Sequence, residues 1–268
     1  MQSFKFFLTI AVFLSFSASL SAAQAEEPPK PPAFAEAGDY IGYVWPYDNR
    51  DLDKDLGSAP IVLELFTAQG CMFCPVADKF FADLLERNPA IIGLAYHVTY
   101  RDVQKGSFGM NFSTLRQFGY IQNITGSSVY VPQLVINGQY LTSGAKYSEV
   151  YEMMKKTAAA PPQRMIVKPD GENLYALELP VLNRLDEQKA TVTIMQYQKP
   201  ITRKIAEGIN VNQEIKYARI VSSITPVTTW TPEKKTLNLE IVPEENSGGA
   251  VVMLQNAERV LAVADIQF

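Results

Sequence analysis

The chain has 268 residues with 24 basic and 28 acidic side chains, a formal charge of −4 and a single histidine. That balance, with no basic block and no aromatic-basic alternation, argues against nucleic acid and anionic membrane surfaces as partners. Its length suits two modest domains or one large one, and its two cysteines leave any zinc site two ligands short.

Residues 1–25 read as a signal peptide. Lys5 supplies the positive n-region, Phe6 to Leu20 an apolar core, and Ala23-Gln24-Ala25 a small-residue cleavage site. An uncleaved anchor is the competing reading, but the run falls short of the ~20 residues that a spanning helix needs. The expectation is therefore export, with no stable membrane insertion after cleavage. Residues 26–57 read as a linker and N-terminal extension, proline-rich at Pro28 to Pro32 and aromatic from Tyr40 to Tyr47.

Ile61 to Phe66 is an apolar run of strand length. Gly70 signals a turn, and after Cys71-Met72-Phe73-Cys74-Pro75 the apolar residues Val76, Phe80, Phe81, Leu84 and Leu85 take helical spacing to Arg87. Both cysteines thus fall at a strand-to-helix junction. Unpaired N–H groups and the helix dipole there favour a thiolate on Cys71, with Cys71 or Met72 expected as the N-cap. Cys-X-X-Cys in this setting reads as a redox pair, and an inert structural disulfide is the bland alternative. In an exported protein the pair is expected to be oxidised.

Ile91 to Tyr96 reads as a second strand, with His97 at its exit and a loop or lid from Thr99 to Asn111. Ser113 is the expected cap of a short helix through Tyr120. Two apolar runs between Val129 and Leu141 flank Asn137-Gly138, a hairpin signal, and a helix is expected around Tyr147 to Ala159. From 163 to 268 the texture becomes β. Seven short runs, Arg164 to Lys168, Leu174 to Leu179, Ala190 to Gln198, Glu214 to Ser223, Thr236 to Val242, Ala250 to Gln255 and Val260 to Phe268, read as an antiparallel sandwich without a catalytic constellation.

The order strand, redox helix, strand, helix, hairpin, helix resembles that of thioredoxin-like domains. A closer resemblance is to the secreted proteins of Gram-negative bacteria grouped as domain of unknown function 1223. It is carried by Glu64-Leu65-Phe66-Thr67, Gln69-Gly70-Cys71, Cys74-Pro75, Ala77-Asp78, His97-Val98, Tyr100, Arg116-Gln117, Tyr130, Pro132-Gln133 and Asn137-Gly138, with Asn210, Tyr217, Trp230 and Val251 to Gln255 further on. Thr99, Arg101 and Val131 depart from that pattern.

The resemblance implies an α/β thioredoxin-like domain over 58–162, followed by an all-β sandwich-like domain over 163–268, in the periplasm or outside the cell. It further implies that Pro132 follows a cis bond, facing the cysteines and shaping with Val131 a groove for substrate. Glu64 would be the buried acid that accepts the resolving thiol's proton; a surface glutamate is the alternative. The expected activity is thiol-disulfide exchange on protein substrates, with Cys71 as nucleophile, Cys74 as resolving thiol, an unidentified redox partner and no cofactor. His97 is a candidate proton shuttle or ligand, although a lone histidine satisfied by the backbone is the safer reading. Two rivals stand: a soft-metal (copper) chaperone using Cys71, Cys74 and His97, and a non-catalytic interaction protein.

Overall fold

The run after Pro60 forms strand β1 (Ile61–Thr67), buried at all seven positions. The structure, a computed structural model, describes residues 58–102, 105–124, 126–181, 190–230, 235–257 and 259–268. The leader expected over 1–25 and the extension over 26–57 lie outside the described residues. Among those described, no helix is long and apolar enough to cross a membrane.

Helix α1 (Cys74–Arg87) follows β1, with Pro75 in its first turn and Phe73 rather than Cys71 or Met72 as the N-cap. Proline is tolerated there because the N–H groups of the first turn have no intrahelical partner. Strand β2 (Ile91–His97) then pairs parallel to β1. Helix α2 (Asn111–Asn123) starts two residues before the expected cap, leaving Ser113 buried inside it with no partner for its hydroxyl. Strands β3 (Gln133–Ile136) and β4 (Tyr140–Ser143) form the expected hairpin, with Asn137 at φ 50° and Gly138 at φ 73° in the turn. Helix α3 (Tyr147–Thr157) follows. The first sheet has the order β2-β1-β3-β4, β3 running antiparallel to β1.

Side-chain alternation in this sheet serves two cores. Ile61, Leu63, Leu65, Leu134 and Ile136 pack with Phe80, Phe81 and Leu84 of α1 and with Val150 and Met154 of α3. The opposite face, with Val62, Phe66, Tyr96 and Val135, packs against Tyr120 of α2 and against Met195, Tyr197, Val251, Met253 and Val263 from the second half of the chain.

That second half supplies β5 (Gln163–Arg164), β6 (Ile166–Pro169), β7 (Leu174–Leu179), β8 (Ala190–Gln198), β9 (Ile201–Lys204), β10 (Glu214–Tyr217), β11 (Val221–Trp230), β12 (Lys235–Glu240), β13 (Ser247–Gln255) and β14 (Val260–Gln267). They form a five-stranded sheet β11-β8-β13-β14-β5, a three-stranded sheet β12-β7-β6 and a hairpin β9-β10. Val192, Ile194, Ala250, Val252 and Leu254 of the five-stranded sheet pack on Leu177, Leu179 and Leu239 of the three-stranded one. Because its other face meets the first sheet, β13 is apolar on both sides, which explains the unbroken run from Ala250 to Leu254.

This architecture corrects the expected α/β thioredoxin-like domain followed by an all-β sandwich-like domain. Among the described residues fourteen strands in four sheets stand against three helices, so the chain is mostly β. The physical reason lies in the shared core. The first sheet covers one face with α2 together with strands from the other half, instead of closing as an α/β layer structure. Even its edge is met from there: Ala95 N–H donates to Arg219 O at 2.9 Å, and Arg219, paired with Asp265, donates to Gly93 O. Ten strands replace the seven expected runs. Glu214 to Ser223 divides into β10 and β11 around Arg219, whose φ of 53° breaks the strand.

Candidate functional site

Six residues join β1 to α1, and their path brings the cysteines to the surface of the sheet. The loop is tight: Cys71 N–H donates to Ala68 O and Cys74 N–H to Cys71 O. A Cβ on Gly70 would stand 2.1 Å from Arg101 O, so only glycine lets the two backbones approach this closely. Cys71 is 7% exposed and Cys74 fully buried. Both are free thiols here. Between them Met72 and Phe73 face solvent, at 40% and 42% exposure, forming an apolar rim beside the recessed Cys71 sulfur.

Val131 and Pro132 stand opposite. Their peptide bond is cis, and Cys71 Sγ donates to Val131 O at 3.6 Å. Gln117 of α2 fixes this segment, donating from Nε2 to Tyr130 O and Gln133 Oε1 at 2.8 Å each while accepting from Tyr100 OH at 2.9 Å. Tyr100, Val129 and Tyr130 remain exposed and extend the apolar rim.

The two thiols differ in chemistry. Cys71 is pulled down to about 7, mainly by a hydrogen bond from the Cys74 thiol, helped by the N–H groups of Phe73 and Cys74 and by the Arg101 charge, against a smaller effect of burial. Burial pushes Cys74 well above the usual thiol range, and the neighbouring Cys71 adds to the shift. One cysteine is thus set to be a thiolate near neutral pH, and its partner to keep its proton.

Glu64 does not serve these sulfurs, and its expected role as the proton-accepting acid is corrected. On the Val62 and Phe66 face of β1 its carboxylate is taken up by α2: Arg116 Nε and Tyr120 OH donate to its two oxygens and Arg116 Nη2 adds a 3.0 Å bond. Arg116 also reaches Gln255 Oε1 and stacks on Tyr96 and Tyr120, so the pair fastens α2 to both halves. The carboxyl that faces the cysteines is Asp78, one turn beyond Cys74 on α1. It is 4% exposed, and Thr67 Oγ1 donates to its Oδ2 at 3.1 Å while lying against the Cys74 thiol. Burial raises Asp78 well above the usual carboxylate range. The sequence signal was available: Asp78 stands at i+4 from Cys74 on a face otherwise filled by Ala77, Phe81 and Ala82, where a lone acid is costly unless used.

His97 ends β2 beside Thr67, its register partner. Its Nδ1 lies 3.5 Å from Asp102 Oδ2, and its ring meets the edges of Phe108 and Tyr217. Burial lowers its basicity, so it is neutral at physiological pH. Asp102 in turn accepts from Gln69 N–H at 3.2 Å, so the acid beside the histidine is tied to the cysteine loop. No group of three or more His, Cys, Asp and Glu able to hold a metal is formed among the described residues, so His97 is not brought to the cysteines as a third ligand.

Asn210, to which sequence reading assigned no role, reaches the loop from the β9-β10 connection. Its Nδ2 donates to Gln69 O and to Cys71 O, each at 2.8 Å.

A family model described as "Protein of unknown function (DUF1223)" matches residues 62–255. Protein AGR_C_4864 from Agrobacterium tumefaciens, a crystal structure, is 24% identical with a TM-score of 0.66, covering 77% of this chain and 93% of its own. HBP35 of Porphyromonas gingivalis is 13% identical with a TM-score of 0.54, covering 78% and 75%. Both likenesses are of fold alone. No curated protein matches the chain.

Proposed function

Because the chain belongs to the family of proteins of unknown function DUF1223, its activity has to be read from its own site, and we propose that it is an exported thiol-disulfide oxidoreductase acting on protein substrates. The observation that carries this reading is the asymmetry of the two thiols: Cys71 lowered to about 7 beneath an apolar rim, and Cys74 raised and buried beside an acid whose proton affinity burial also raises.

In the oxidising direction a substrate thiolate attacks Cys71 Sγ of the Cys71–Cys74 disulfide. The new bond joins substrate sulfur to Cys71, and Cys74 leaves as a thiolate. Asp78, whose hold on its proton burial strengthens, gives that proton to Cys74, with the Thr67 hydroxyl between them. A second substrate thiolate then attacks the substrate sulfur of the mixed disulfide and expels Cys71 as a thiolate. The substrate dithiol becomes a disulfide, and its two electrons reside on the reduced pair. In the reverse direction Asp78 is the base. Partner potentials set which way the cycle runs.

Substrate recognition follows from what surrounds Cys71. Once Cys71 is a thiolate it no longer donates to Val131 O, which frees that carbonyl for the N–H of an extended peptide. Met72, Phe73, Tyr100 and Tyr130 offer apolar contact on either side. This favours polypeptide substrates over small charged thiols. Export is supported by the leader pattern from Lys5 to Ala25.

The test compares Cys74→Ala with Cys71→Ala, each expressed as the full chain in its host, acid-quenched, alkylated and run on non-reducing gels. Cys74→Ala is expected to accumulate mixed disulfides and Cys71→Ala few or none. Equal trapping by both variants overturns the reading, as does an absence of trapping together with failure of the intact protein to oxidise or reduce a model disulfide peptide.

A further inference from the structure

The C-terminal half takes a direct part in the cysteine loop. We infer that Asn210, carried there by the β9-β10 hairpin, is a positioning residue that holds Cys71 in its reactive geometry. The proposal deepens the exchange reading above, but its test uses no protein substrate.

Among the described residues the Gln69 carbonyl receives no backbone N–H and the Cys71 carbonyl receives only that of Cys74, at 3.3 Å, and a buried carbonyl left without a donor costs about 1–3 kcal/mol. Asn210 donates to both, using both N–H bonds of its amide. The orientation of that amide is settled by chemistry, because two carbonyl oxygens cannot face its oxygen; Oδ1 instead accepts from Gln213 Nε2 at 3.5 Å.

Burial at the hairpin tip runs against the usual preference. Ile209 and Val211 are 59% and 46% exposed, while the polar Asn210 between them is 1% exposed. The tip turns the amide inward with Gly208 at φ 84° and Asn212 at φ 68°, conformations suited to those residue types, and Gln213 N–H closes onto Asn210 O. Arg203 anchors the hairpin from outside by donating to Gly106 O and lying 3.9 Å over the Phe108 ring, and Lys216 pairs with Glu86 of α1. Ile205, Ile215 and Tyr217 fill the space beneath.

The consequence for Cys71 is specific. Its thiolate is stabilised by the N–H groups of Phe73 and Cys74, and the Cys74 N–H is shared with the Cys71 carbonyl, whose position Asn210 fixes. Without Asn210 the loop relaxes toward solvent, and the thiolate loses donors.

The experiment measures the pH dependence of Cys71 alkylation by iodoacetamide and of thiolate absorbance near 240 nm in the reduced full chain, with circular dichroism and urea unfolding as checks of folding. Asn210→Ala is expected to raise the midpoint and slow alkylation at pH 7 by roughly three- to tenfold, since one unit of pKa is a factor of about ten in thiolate below the midpoint. Asn210→Leu keeps the approximate shape and adds no charge but removes both donors, so the midpoint is expected to rise there too; a space-filling role alone would leave it unmoved. Arg203→Ala, which loosens the hairpin from its outer side, is expected to give a smaller rise. An unchanged midpoint in both Asn210 variants, or in Arg203→Ala should neither of them fold, overturns the inference. Absence of mixed disulfides together with failure to act on a model disulfide peptide would overturn the exchange reading and leave this result standing.

Discussion

Asp78→Asn isolates the buried acid. Asparagine has nearly the same shape and retains an oxygen to accept from Thr67, so the substitution removes the titration and little else. Burial holds the folded-state carboxyl above its ordinary value. Between that ordinary value and the raised one the folded protein therefore binds more protons than the unfolded chain, and stability falls as pH rises. The slope from one such group is about 1.4 kcal/mol per pH unit. For a chain of this size 1 kcal/mol moves the melting temperature by roughly 2–4 °C, so Asn is expected to gain about 3–5 °C on wild type for each pH unit across the window.

The assay is the melting temperature of reduced wild type and Asp78→Asn from pH 4 to pH 8. All other titrations are shared and cancel in the difference, which should be small at pH 4 and grow with pH. A difference that stays flat from pH 5 to pH 8 would mean that Asp78 titrates as an ordinary carboxylate and would refute its assignment as a protonated acid. The catalytic counterpart is opposite in sign: the more stable variant is expected to exchange disulfides more slowly, because departing Cys74 has lost its proton donor.

Two further expectations come from the same geometry. In the reduced protein, alkylation of Cys71 should follow a midpoint near pH 7 while Cys74 resists modification until the protein unfolds, as mass spectrometry of each cysteine-containing peptide would reveal. Glu64→Gln or Arg116→Met alone should cost about 3–5 kcal/mol, since each strands a buried partner charge, whereas the double replacement should cost less than the sum; additive urea-unfolding energies would show that the pair is not coupled.

Much of the cysteine neighbourhood was legible because it is local. The strand, the glycine turn, the proline in the first helical turn and the Asn-Gly hairpin are each written in a few consecutive residues, and each appears where its own chemistry places it. Long-range burial was not legible. The alternation of β1 and the continuous run of β13 say that both faces of each strand are covered, but not by what. One face of the first sheet is covered by α2 together with strands more than a hundred residues away, and this is why a reading by successive segments yields two domains where the core is shared.

The two acids show the same limit at the level of single side chains. Glu64 and Asp78 are both buried acids within two turns or strands of the cysteines, and sequence position favoured Glu64 because it precedes them on a strand. What separates them is the cation. Arg116, fifty-two residues later, accompanies Glu64 and makes its charge tolerable, so that acid is spent on joining α2 to the sheet. Among the described residues Asp78 has only the Thr67 hydroxyl, and a buried carboxyl with a neutral donor and no cation holds its proton more tightly. The useful acid is therefore the one the fold leaves without a salt-bridge partner. The same logic selects Asn210 at the hairpin tip: a neutral double donor satisfies two carbonyls without placing a charge beside a sulfur whose ionisation the site has to control.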